Sequence, residues 1–302
     1  MDWILLALFS SALFGLVNAV EKRVIDHHLP NLGVYYASIA ISLAIPASIV
    51  FLSTGGVPEG VTDYSLVMAA MSGGSWGVGL AMVFWGFKLE EASRATAIFH
   101  VFPVFVAIIA VIWLGEELVP GQWTAIIVIV AGAFLVSYRR RPEGASSRFS
   151  QAFPILIAAS LITACSHVFA KSALDDGLTV WMTYSIRTGS MAVAFAALAK
   201  PQGFIQMIPV LRSWRTVGLI VAGDFIMAPI ASISLNWATS LGAISLVAAL
   251  AATRPFFVFM VSSLFSTQRI RLLNEPLERE TISLKLAALA MIVGGIAALS
   301  LL

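Results

Sequence analysis

The chain has little charge and only one cysteine. Charged residues make up 11% of its 302 residues, whereas hydrophobic residues make up 59%. This number of charged residues is too small to cover the surface of a soluble globular protein. The composition therefore excludes a soluble globular protein and indicates an integral membrane protein. The one cysteine, Cys165, lies in an apolar segment and has no intrachain disulfide partner, which excludes a disulfide framework.

The sequence is also not expected to carry the residue patterns of enzymes that work within membranes. It contains no His-Glu-x-x-His motif, and its four histidines show no metal-ligand spacing. We expect no Gly-x-Ser-x-Gly nucleophile elbow either. The expectation is a protein without enzymatic activity, metal or cofactor, and without a nucleic-acid partner, since its basic loops are short.

Ten apolar segments account for most of the chain and predict an all-α membrane protein. Each is about 20 residues long, the length that a helix needs to cross a bilayer. They lie near residues 3–20, 34–53, 65–87, 95–114, 121–138, 152–171, 180–199, 216–237, 242–265 and 282–301.

The second five segments are a faint copy of the first five. Residues about 150 positions apart match in order: Lys22 with Lys171, Trp85 with Trp237, Pro103 with Pro255, and Gly132 with Gly295. A unit with an odd number of crossings ends on the opposite side of the membrane, so its copy is inserted upside down. We therefore predict ten transmembrane helices in two inverted five-helix repeats, residues 1–141 and 151–302, joined by a cytoplasmic linker at 142–150.

Lysine and arginine are divided unevenly between the two sides of this arrangement. Of the 18 such residues, 15 lie on one side, Lys171 lies on the other, and Arg187 and Arg254 lie inside segments. By the positive-inside rule the basic loops are cytoplasmic and both termini face outward. The expected location is the inner membrane of a bacterial or archaeal cell.

Several short patterns recur in order along the two halves. They are Phe102-Pro103-Val104-Phe105 and Arg254-Pro255-Phe256-Phe257 in the fourth and ninth segments, Leu114-Gly115-Glu116 after the fourth, and Val130-Ala131-Gly132 and Val293-Gly294-Gly295 in the fifth and tenth. Over nearly the whole chain they resemble the EamA family of the drug/metabolite transporter superfamily. The resemblance implies a ten-helix bundle around a central cavity that moves small organic solutes by alternating access, often outward and often driven by an ion or proton gradient. Ten-helix members of that family commonly have cytoplasmic termini, the reverse of what the charge count predicts here.

Two opposite charges lie deep in the second half. A charge near the bilayer centre costs about 2.5–3.5 kcal/mol, so it normally faces a cavity or a partner. Counting a rise of 1.5 Å per residue from the turn at Ser240, Asp224 and Arg254 lie within about 3 Å of the same depth, which allows them to pair. Such a pair is either structural or a binding site, in which Arg254 holds an anionic group while Asp224 balances it and carries a coupling proton.

Further candidates for substrate binding are polar residues in apolar surroundings. Arg187 lies seven residues into the seventh segment, where it fits either anion binding or snorkelling towards the outer interface. His100 and His167 fit either hydrogen-bonded structural histidines or cavity-lining groups. Asn18 matches His167 in the repeat, so that position is polar in both halves.

The positions of the first half that match Asp224, Arg254 and Arg187 carry no charge. This arrangement suits a ligand whose apolar end faces the first half. Trp76, together with Trp85 and Phe99, is a candidate for its aromatic wall; core packing and lipid contact are the alternatives.

The predicted function is secondary transport of a small organic metabolite by alternating access. The metabolite is amino-acid-like, nucleoside-like or drug-like, and one interpretation makes it an anion. Proton-coupled efflux is one possible mode of transport. The alternative is a non-transporting scaffold or a passive channel subunit. Expected partners are the solute and the lipid bilayer, with the chain acting as a monomer or homodimer.

Overall fold

The structure is a computed structural model that describes residues 2–29, 31–89, 95, 98–137, 152–264 and 279–301. This part of the chain is helical and contains no β-strand. The predicted linker at 142–150 lies outside the described residues. The helices are α1 (Asp2–His28), α2 (Leu32–Ser53), α3 (Asp63–Leu89), α4 (Phe102–Trp113), α5 (Pro120–Ser137), α6 (Ala152–Asp175), α7 (Val180–Met207), α8 (Trp214–Leu241), α9 (Ile244–Ala251), α10 (Arg254–Leu264) and α11 (Arg279–Leu301).

These helices coincide with the predicted apolar segments. By length and composition, α2, α3, α6 and α8 are each sufficient to cross a membrane, and shorter apolar helices lie in the first, fourth, fifth, ninth and tenth segments. In α7 the backbone leaves helical geometry at Lys200, which has φ 55° and ψ 165°. Pro201 follows and disfavours helical geometry in the residue before it. The predicted end of the seventh segment, residue 199, falls at this break.

The fourth and ninth segments are both interrupted, at equivalent positions. Turns at residues 100–101 and 252–253 separate each segment into two parts, and α4 and α10 begin after them. The second residue of each new helix is a proline, Pro103 or Pro255. Because proline has no N–H group, it leaves a carbonyl of the preceding turn without its helical partner.

Serine hydroxyls from the opposite half of the chain bind carbonyls at both interruptions. Ser160 of α6 donates to the carbonyl oxygen of Phe99 at 2.6 Å and to that of Ile98 at 3.4 Å. Ser11 of α1 donates to the carbonyl oxygen of Leu250 at 3.1 Å. In the repeat alignment Ser11 is equivalent to Ser160, and Leu250 is equivalent to Ile98. Equivalent residues therefore make equivalent contacts with the two halves exchanged.

Helices α5 and α11 pack against each other through matched glycines. A Cβ atom on Gly132 would lie 2.8 Å from Cγ1 of Ile292, and one on Gly295 would also overlap Cγ1 of Ile129. Gly132 and Ile129 are the repeat equivalents of Gly295 and Ile292. Such reciprocal contacts are typical of surfaces related by a two-fold axis.

Helix α3 lies close to α6 and α7 because its contacting residues are small. The hydroxyls of Ser72 and Ser166 each donate to the other residue's carbonyl at 2.7 Å. One residue further along α3, Gly73 lies against the carbonyl oxygen of Arg187. Small residues permit this close helix approach, which fixes the backbone at Arg187 against α3.

Glu116 joins the two halves by capping the start of α9. Its carboxylate accepts the N–H of Ile244 at 2.6 Å, the N–H of Ser245 at 3.2 Å and the hydroxyl of Ser245. A carboxylate at a helix N-terminus satisfies unpaired N–H groups and opposes the helix dipole.

We expect Glu116→Ala to destabilise the protein by about 1–3 kcal/mol, because two backbone N–H groups lose their acceptor. Thermal unfolding in detergent measures this loss of stability. Glu117 is exposed and serves as the matched control; Glu117→Ala should change stability by less than about 0.5 kcal/mol. Equal losses in the two variants would contradict the capping role.

Candidate functional site

Arg254 is the first residue of α10 and follows the second interruption. Its guanidinium carbon lies 4.2 Å from the centroid of the Phe14 ring on α1. Its Nε and Nη2 atoms are buried and have no hydrogen-bond partner in the described part of the chain. These two N–H groups form the guanidinium edge that pairs with two oxygens of a carboxylate or phosphate. Arg254 thus presents a bidentate edge that the described protein groups do not use.

Arg187 is held differently, by uncharged groups on three other helices. Its Nη1 donates to Oδ1 of Asn236 at 3.1 Å, and its Nη2 donates to Oγ of Ser166 at 3.4 Å. Its guanidinium carbon lies 4.0 Å from the centroid of the Trp76 ring, a cation–π contact. The residue is 3% exposed. Arg187 therefore points into the protein, and the alternative of snorkelling towards the outer interface is not what the structure shows.

Aromatic rings connect the predicted histidines to this arginine. The His167 ring stacks on Phe102, with centroids 5.4 Å apart and planes at 14°, and lies 5.2 Å from the Trp76 centroid. The His100 ring lies 6.1 Å from Phe102 and 5.6 Å from Phe99. Both histidines are buried, and Nδ1 of His100 has no partner in the described residues.

The two arginines and two histidines form one electrostatic group. Arg254 is close enough to Arg187, His100 and His167 for their charges to interact. Neither arginine forms an ion pair with a carboxylate within the ranges the structure describes, where Lys171 with Asp175 is the ion pair found. We call Arg254, Arg187, His100, His167 and Trp76 the arginine cluster. Its described side chains bring together two guanidinium groups without a negative charge to balance them.

Asp224 lies apart from the arginine cluster. It occupies a π-helical segment of α8, Val221–Met227, and interacts electrostatically with Glu21 of α1. It makes no described ion pair with Arg254, so the predicted pair does not form in this structure. The residue count from Ser240 assumed two straight α-helices. The π-helical turns in α8 and the interruption at 252–253 both break that assumption.

Two other predicted residues also lie outside the arginine cluster. Asn18 is exposed on α1, and no contact between it and His167 is found among the described side chains. It lies four residues after Phe14, so the two share a face of the helix. Trp85 is 55% exposed and is not part of the aromatic wall to which Trp76 contributes.

The sequence reasoning missed Asn236, Ser166 and Phe14. Asn236 is an amide within an apolar helix, and that signal alone would have justified including it. Ser166 is adjacent to the predicted His167 but was not distinguished from the other serines. Phe14 is one of 19 phenylalanines, and only the fold places its ring over Arg254.

One hydrolase pattern does occur, contrary to the expectation from the sequence. Residues 73–77 read Gly-Gly-Ser-Trp-Gly and fit Gly-x-Ser-x-Gly. A nucleophile elbow places its serine on a sharp turn between a strand and a helix. Ser75 lies instead inside the continuous helix α3. The pattern here belongs to helix packing and does not form an elbow.

Comparison with known proteins agrees with the helical fold. A solved crystal structure matches with a TM-score of 0.70 and 15% identity over 99% of this chain and 96% of the other. At that identity the match shows the fold alone. The model of the EamA-like transporter family matches residues 1–138. These 138 residues support assignment of the chain to the EamA-like transporter family.

The match, together with the apolar helices, supports a multi-pass membrane transporter of the drug/metabolite type, which implies a small solute and the bilayer as partners. Members of this family are transporters rather than enzymes. A relative from Sinorhizobium sp., described as an uncharacterized transporter in the cobO 3' region, is 26% identical over 136 residues. That match covers 96% of the relative but 45% of this chain. The relative is therefore about as long as one half of this chain.

Proposed function

We propose that this protein is an alternating-access carrier of a small organic anion. The observation that carries the proposal is the edge of Arg254, whose Nε and Nη2 atoms are buried without a described acceptor. Leaving a charge buried and unpaired costs several kcal/mol. A carboxylate on the substrate supplies the missing partner and balances part of the charge of the arginine cluster.

The rings around the arginines define the rest of the substrate. Phe14 lies over Arg254, and Trp76, Phe102 and His167 form a continuous set of ring contacts leading to Arg187. Such walls favour an apolar or aromatic body attached to the anionic group. A cationic substrate would bring a further positive charge to a cluster without a carboxylate, so anions are favoured over amines.

The contacts between the two halves support alternating access by ten helices in two inverted repeats. Both repeats contain an interrupted helix, and each interruption receives a serine hydroxyl from the other half. Interrupted helices at the interface of inverted repeats are where carriers of this plan bind their substrates. Outward-facing termini and an inner-membrane location follow from the distribution of lysine and arginine along the chain.

Equilibrium binding to the detergent-solubilised protein tests the charge requirement. We expect benzoate, phenylacetate or indole acetate to bind about 10–100-fold more tightly than its neutral amide, the range given by charge-assisted hydrogen bonds. The amide has nearly the same shape, so it controls for burial of the ring. If none of the three acids binds more tightly than its amide, the proposal of an anion carrier is wrong.

A further inference from the structure

Helix α1 connects the arginine cluster to a second group of polar side chains. Val20 packs against Gly223, where a Cβ atom would lie 3.2 Å from Cγ1 of the valine. The next residues along the two helices, Glu21 and Asp224, are close enough for their charges to interact. Two carboxylates from different halves of the chain thus interact electrostatically where α1 packs against the π-helical segment of α8.

Helix α2 adds Tyr35 to this carboxylate pair. Tyr35 interacts electrostatically with Glu21, Asp224 and Tyr36. Tyr35 is 3% exposed, and its hydroxyl has no hydrogen-bond partner in the described residues. Among the side chains that the structure describes, no lysine, arginine or histidine pairs with either carboxylate.

From this arrangement we infer that Glu21 and Asp224 form the proton site of the carrier, linked through α1 to anion binding at Arg254. When both groups are ionised, two negative charges repel each other at partly buried positions. One proton from water, bound to a carboxylate oxygen of either residue, removes that repulsion, and its release to water restores it. The unpartnered hydroxyl of Tyr35 can donate to the ionised carboxylate. A π-helical segment, as at Asp224, frequently marks a functional position in a helix.

The spacing along α1 provides the link to the substrate. Phe14, Asn18 and Glu21 are separated by four and three residues, so they lie on one face of the helix. Phe14 lies against the guanidinium of Arg254, and Glu21 interacts electrostatically with Asp224. A shift of α1 in response to the charge on Glu21 therefore reaches Arg254 without an intermediate helix.

The proton site itself is tested by infrared difference spectroscopy of the reconstituted protein between two pH values, without any substrate. We expect a pH-dependent C=O stretch of a protonated carboxyl that Glu21→Gln and Asp224→Asn each abolish or shift. The matched controls are the exposed acids Glu59 and Asp63, whose Glu59→Gln and Asp63→Asn variants should leave the band unchanged. If neither Glu21→Gln nor Asp224→Asn alters the band, the assignment of the proton site is overturned.

The link to Arg254 rests on the proposed function and is tested by the pH dependence of benzenesulfonate binding, since this aromatic anion stays ionised. Binding to the parent protein should tighten about fivefold or more as the pH falls, because a protonated pair places one negative charge less beside α1. Glu21→Gln should still bind the anion, with affinity that no longer depends on pH. Unchanged pH dependence in Glu21→Gln overturns the link. If benzenesulfonate and the carboxylates all fail to bind the parent protein, the proposed function fails, while the infrared result still decides the proton site.

Discussion

Replacing Arg254 by lysine should weaken carboxylate binding about 10–100-fold, because lysine keeps the charge but lacks the two parallel N–H groups of the guanidinium edge. Arg254→Ala should bind still more weakly, since it removes the charge as well. Isothermal calorimetry with benzoate measures both affinities. The size of the lysine effect separates bidentate recognition from simple attraction of charge.

Arg215 provides the matched control for this substitution. It is an exposed arginine at the start of α8, with its guanidinium carbon 5.5 Å from the ring centroid of Trp214. Arg215→Lys should bind benzoate as the parent protein does. If Arg254→Lys also binds like the parent protein, the edge of Arg254 does not hold the anion.

Gly73→Ala should lower both thermal stability and anion binding. A Cβ atom at this position overlaps the carbonyl carbon and oxygen of Arg187, which belong to the backbone and cannot rotate away. Helices α3 and α7 must therefore separate, at a cost of about 1–3 kcal/mol. The movement also displaces Arg187 from Trp76, so the arginine cluster loses its geometry.

Gly74, the next residue of α3, provides the matched control for Gly73→Ala. A Cβ atom on Gly74 meets no other atom within 4 Å, and alanine favours helix over glycine by about 1 kcal/mol. Gly74→Ala should therefore unfold at the same or a slightly higher temperature. Equal unfolding temperatures and affinities for Gly73→Ala and Gly74→Ala would contradict the close packing of α3 on α7.

The helices were predictable from sequence because apolar length is a strong signal. The predicted segments coincide with the helices, and the end of one at residue 199 falls where Lys200 leaves helical geometry. Pro103 and Pro255 lie at the interruptions of the fourth and ninth segments, where proline removes a helical donor. The serines that bind the carbonyls there were not predicted, because their partners are far away in the sequence.

The candidate site was predictable only in part. Arg254, Arg187, His100, His167 and Trp76 were all singled out as polar or aromatic residues in apolar segments, and the fold brings them together. The partners were harder to predict, because they depend on helix register and rotation. Counting residues predicted that Asp224 pairs with Arg254. In the structure, which has a π-helical segment in α8 and an interruption at 252–253, Asp224 interacts with Glu21 instead.

Counterflow of benzenesulfonate in proteoliposomes tests alternating access by an organic anion most directly. Vesicles loaded with unlabelled anion are diluted into a trace of labelled anion, and the label inside is followed over time. A carrier that exchanges one anion for another will take up label transiently above its equilibrium level, and Arg254→Lys will strongly reduce this overshoot. A simple rise to equilibrium without an overshoot, equal in the two proteins, would show a passive pathway and contradict an anion carrier built around Arg254.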